Sequence, residues 1–154
     1  MPPLPPPSPL PDFVYKITPT SPPDPIPEQY PLSELDRQDG FVHLSASWQA
    51  RLHTIPYRTT PFLVLTNPGS INQQVPITAD LFFGDAPSFY LLKLRLADLG
   101  SSGVVKWDEV DGTNGCPHLY GNFGARDVVA VREFRRGEGQ SWREVFEGEK
   151  GWLV

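Results

Sequence analysis

Three short stretches carry residue types able to do chemistry. In GCPHLYG, residues 115–121, Gly115 and Gly121 bracket a histidine, a leucine and a tyrosine. Pro117 fixes its own φ and biases Cys116 toward extended geometry, so the run reads as a stiffened loop that holds His118 and Tyr120 at little conformational cost. In FVHLS, residues 41–45, alternation puts Phe41, His43 and Ser45 on one face and Val42 and Leu44 on the other. An imidazole donates from one nitrogen while accepting at the other, and it titrates near neutrality. His43 and His118 therefore suit acid/base work or contact with a ribose or phosphate. They equally suit structural histidines satisfied by backbone. In VVKWD, residues 104–108, Trp107 either stacks on an aromatic base or belongs to the core. Asp108 and Glu109 are solvated carboxylates or, for Asp108, a hydroxyl acceptor or general base.

The elements that must position these residues follow from periodicity. FVYKI (13–17) and FYLLKLRL (89–96) read as strands, the second with Tyr90, Leu92, Leu94 and Leu96 on one face. VVKWD (104–108) and DVVAVREF (127–134) add two more, and EVDGTNG (109–115) is a loop. LSELDRQ (32–38) predicts a helical turn with Ser33 as N-cap and Asp36 at N3, a weaker capping box, ended by Asp39-Gly40. VPITADLFF (75–83) predicts a helix, and a short one is expected around Ser141–Phe146. Residues 50–73 fit least well. They read as an insertion or a gene-model error, with PFLVLT a possible extra strand.

The chain has 154 residues, which suggests one domain over 12–154 with a core of its own. Thirteen of its 19 prolines fall in the first 31 residues, and residues 1–11 predict a disordered proline-rich tail. Pro2 and Pro5 make a PxxP, a weak signal for a proline-recognition partner because no basic residue precedes Lys16. A net charge of −5 argues against a general nucleic-acid surface. The apolar runs are too short to span a membrane, and the N-terminus lacks the basic and apolar regions of a signal peptide. One cysteine, Cys116, excludes an intrachain disulfide, and no zinc-like spacing exists, so no metal is expected. The lone thiol fits a cytoplasmic location.

Taken in order, YKI, DGFVHLS, VPITADLFFGD, FYLLKLRLADL, VKWD and CPHLYG resemble the domain-of-unknown-function family numbered 952, over about residues 13–132. That resemblance implies an α+β, ADP-ribosyltransferase-like fold: two packed, mostly antiparallel sheets split by a cleft, with flanking helices. A more distant similarity runs to RNA 2′-phosphotransferases, but their arginine–histidine pair is missing. Lys16 stands near the place where many members of the fold class carry a histidine or arginine on the first strand. Cys116 replaces the family's usual Phe and reads as a small filler rather than a nucleophile. The resemblance implies NAD or a related nucleotide as ligand or co-substrate. It implies His43, Asp108 and His118 as catalytic residues and Ser45, Trp107 and Tyr120 as cofactor contacts, with the two histidines meeting at one cleft. The functions it leaves open are a transferase or hydrolase acting on a nucleotide, a non-catalytic binder, and an interaction protein using its proline-rich N-terminus.

Overall fold

A computed structural model describes residues 3–46, 85–109, 115–149 and 151–153. Among the described residues, eight strands form two antiparallel four-stranded sheets, joined by short helices, an α+β architecture. The first sheet contains β1 (Pro3–Leu4), β6 (Gly103–Asp108), β7 (Cys116–Gly121) and β3 (Val42–His43), in that order. The second contains β4 (Ser45–Ala46), β2 (Phe13–Thr18), β5 (Ser88–Arg95) and β8 (Val128–Arg135). The chain passes from one sheet to the other at Leu44, so the single expected strand 41–45 becomes two short ones. The helix expected at 75–83 and the insertion at 50–73 lie outside the described residues.

Two apolar clusters hold these layers. Val42, Leu119 and Trp107 of the first sheet meet Val14, Leu92 and Leu94 of the second. On the second sheet's other face, Phe89, Leu91 and Phe134 pack against Trp142 and Phe146 of α2 (Trp142–Glu147) and against Leu153. This explains the near-continuous apolar run in β5. Leu92 and Leu94 serve one core while Phe89 and Leu91 serve the other, so both faces of the strand are buried. Ser141 and Glu144 complete a capping box at the start of α2.

Cys116–Gly121 of this run forms a strand, not a loop. Proline survives inside the sheet because of where its nitrogen points. The Pro117 carbonyl accepts from the Leu44 N–H, so its amide nitrogen faces the same side, where β3 has ended. The missing donor therefore leaves the β6 ladder intact. Gly121 has φ +152°, and a Cβ there would collide with the Ser102 carbonyl oxygen.

The proline-rich start is only in part a tail. Pro3 pairs with Asp108 and Leu4 with Trp107, covering the edge of β6, and Pro7 is buried. Removing residues 1–11 is expected to cost on the order of 1 kcal/mol, seen as a melting temperature lowered by about 2–4 °C. An unchanged melting curve would show that the pairing adds nothing to stability.

Candidate functional site

The site is assembled from the first sheet and the short helix before it. α1 (Glu34–Asp39) starts at Ser33, whose Oγ accepts the Asp36 N–H, and ends at Gly40 in the left-handed region, φ 79°. Asp36 does not close the capping box. Its carboxylate is only 2% exposed and turns away from the cap toward three donors. Lys16 Nζ donates to Oδ2 at 2.7 Å, and Oδ1 takes the His43 backbone N–H at 3.0 Å and Nδ1 at 2.7 Å. Burial pushes the Asp36 carboxyl up. The His43 hydrogen bond and the Lys16 ammonium outweigh it and hold the group well below the usual carboxylate range. Burial also lowers Lys16, against the pull of Asp36. On the far side of the ring, His43 Nε2 lies 3.0 Å from Asp39 Oδ2, at the exposed rim.

A second aspartate–histidine pair stands beside the first. His118 Nδ1 lies 2.8 Å from Asp108 Oδ2, and the Tyr120 hydroxyl donates to the same oxygen at 2.9 Å. Burial lowers the His118 pKa more than Asp108 restores it, which favours the neutral ring, and the Asp108 carboxylate beside Nδ1 sets that nitrogen as the donor. Its Nε2 is then an acceptor, and no hydrogen bond from the described residues reaches it although His118 is 1% exposed. Burial first, then the Asp108 carboxylate, raises the Tyr120 phenol.

Register brings the two pairs together. His43 is directly opposite His118, and His118 is directly opposite Lys106, so the three share one face across adjacent strands. The two imidazole centroids are 5.2 Å apart, edge to face. Phe41 stacks on His118 at 4.1 Å and lies 4.7 Å from His43 and 5.1 Å from Tyr120. Lys106 Nζ sits 4.5 Å over the Tyr120 ring.

Two expected cofactor contacts lie elsewhere. Trp107 fills the core between the sheets, on the reverse of the histidine face. Trp107 and Asp108 are neighbours in one strand, and a strand sends successive side chains to opposite faces, so they cannot line one wall. Ser45 lies on β4 opposite Tyr15, in the second sheet, because the chain has changed sheets at Leu44. Asp108, expected as a catalytic carboxylate, spends one oxygen on both His118 and Tyr120 and is 2% exposed, which makes it the group that positions His118.

Sequence reasoning missed Asp36, Asp39 and Lys106 as site residues. A usable signal existed: two carboxylates three residues apart on one helix, seven and four residues before a histidine. No group of three or more metal-ligating side chains arranged to hold an ion occurs among the described residues. No helix among them is long and apolar enough to cross a membrane.

Fold and site together define a two-sheet α+β protein with a half-buried sheet face that bears two histidines. The model of the family described as "Protein of unknown function (DUF952)" matches residues 69–131, which supports that family for the segment carrying Asp108, His118 and Tyr120. Among solved structures, the chain is similar to the crystal structure of protein CC0527 from Caulobacter crescentus, at 23% identity and a TM-score of 0.55, over 84% of this chain and 91% of that one. A double mutant of the same Caulobacter protein matches at 22% identity with the same TM-score and coverage. At such identity the likeness concerns the fold. No curated protein matches the chain significantly.

Proposed function

We propose that this chain is a nucleotide-binding transferase or hydrolase on an ADP-ribosyltransferase-like scaffold, with NAD or a related nucleotide as its ligand and His118 as acceptor or general base. The observation that carries the reading is the buried His118 Nε2, which no described residue hydrogen-bonds while Asp108 fixes the other nitrogen. A carboxylate that holds one nitrogen of an imidazole leaves the second as an oriented base. In a hydrolysis of NAD, Nε2 takes a proton from water as the oxygen bonds to the ribose carbon and nicotinamide leaves with the electrons of the broken bond. The products are nicotinamide and ADP-ribose, with the proton held on His118. Asp108 steadies the imidazolium that results.

A second reading is a non-catalytic binder of the same ligand class. It is favoured by His43, whose two ring nitrogens are both engaged with carboxylates.

A thermal-shift and NMR screen of NAD, ADP-ribose and cyclic phosphates tests both. A true ligand at 100 times its Kd is expected to raise stability by about 2.7 kcal/mol. His118→Gln is expected to weaken that ligand by roughly 1–3 kcal/mol, the scale of one buried hydrogen bond. Release of nicotinamide from NAD separates enzyme from binder. If no nucleotide shifts the melting curve, the reading is wrong.

A further inference from the structure

We infer that Lys106 sets the ligand class of this site: it takes the anionic group of a phosphorylated, hydroxyl-bearing ligand whose hydroxyl meets His118 Nε2. The inference rests on the nucleotide reading and narrows it to the charged part of the molecule. The surroundings of the two histidines are acidic, with Asp36, Asp39 and Asp108 all hydrogen-bonded or ion-paired to the rings. A phosphate approaching them meets repulsion unless a cation offsets it. Lys16 cannot, since it is buried and bound to Asp36 at 2.7 Å.

Lys106 can. It is exposed, and among the described residues no carboxylate lies within ion-pair distance of it. It stands in the same cross-strand row as His118 and His43, with its ammonium held over Tyr120, whose hydroxyl is bonded to the carboxylate that fixes His118. The ring contact confines the lysine to the side of the site without neutralising it. Adjacent strands are ~4.8 Å apart, so the row matches an anion and a hydroxyl separated by about that distance or by the further reach of the lysine stem. Sugar phosphates and nucleotides meet this condition, and a neutral nucleoside does not.

The test compares ADP-ribose with adenosine on the full chain by calorimetry, at low and high salt, for wild type, Lys106→Gln and Lys106→Arg. Wild type is expected to prefer ADP-ribose, with a preference that shrinks as salt rises. Lys106→Gln is expected to weaken ADP-ribose by about two- to fivefold, the scale of an exposed charge pair, to flatten the salt dependence and to spare adenosine. Lys106→Arg is expected to restore the preference. Equal ADP-ribose affinity in wild type and Lys106→Gln overturns the assignment of Lys106 and leaves the nucleotide reading standing. A wild type that binds adenosine as well as ADP-ribose does the same. A wild type that binds neither overturns both.

Discussion

Replacing Asp36 by alanine is expected to destabilise the protein by about 3–5 kcal/mol, the range for breaking a buried ion pair on one side. The carboxylate serves Lys16, the His43 ring and the His43 backbone, and its loss strands a lysine that is only 6% exposed. Asp36→Asn keeps the shape and an acceptor oxygen but loses the charge, so it is expected to fall between wild type and alanine. The pH dependence carries the same signature. The folded-state pKa of Asp36 is depressed, so below an unfolded value of about 3.9 the unfolded chain binds more protons than the folded one. The stability due to Asp36 is therefore complete above about pH 5 and is lost as the pH falls through the acid range. Urea titrations of wild type and Asp36→Asn between pH 7 and pH 3 decide it. Curves that run parallel to the lowest pH would show that the Lys16–Asp36–His43 group does not stabilise the fold.

Asp108→Ala is expected to cost roughly 2–4 kcal/mol, because one oxygen serves a buried imidazole and a phenol and both lose their acceptor. The more informative variant is Asp108→Asn. An amide can turn its NH2 toward His118, which then accepts at Nδ1 and carries its proton on Nε2. Nitrogen chemical shifts of the imidazole are expected to report a proton on Nδ1 in wild type and on Nε2 in the variant. Ligand affinity is expected to fall with that change even where stability is largely kept. A second acid window belongs to His118. Its folded pKa is lowered by burial, so as the pH falls below an unfolded value of about 6.5 the unfolded chain takes up a proton that the folded chain resists. Stability is lost on that descent, and His118→Gln is expected to flatten this part of the curve. A wild-type ring protonated on Nε2 at neutral pH would remove Asp108 from its positioning role.

Much of the secondary structure was legible because it depends on local patterns. The strands at 13–17, 89–96, 104–108 and 127–134 alternate or run apolar, and the observed bounds differ by a residue at most at each end. Ser33 caps α1 as its context predicts, and the short helix expected around Ser141–Phe146 is α2, with Ser141 as its cap. The reading of CPHLYG as a loop went astray for a physical reason. The extended geometry that Pro117 imposes suits a strand as well as a stiffened loop, and its nitrogen faces away from β6, on the side where β3 ends at His43. Trp107 belongs to the core, one of the two readings its residue type allows and not the cofactor contact the resemblance implies, and alternation along the strand separates it from Asp108.

The sequence by itself determined the period of the strands it marked, hence that Val42 and Leu44 point away from His43, whereas the shared face of Tyr120 and His118 follows only once 116–121 is seen to be a strand. It also determined the caps, the acidic balance and the absence of a disulfide. Only the tertiary structure decided which strands are neighbours. That choice sets His43 opposite His118 and His118 opposite Lys106, residues far apart in the chain. It also decided that α1 turns Asp36 onto Lys16 and His43 instead of back to its own cap. Pairing depends on the burial of apolar side chains from both sheets at once, a property of the whole core that no local window contains.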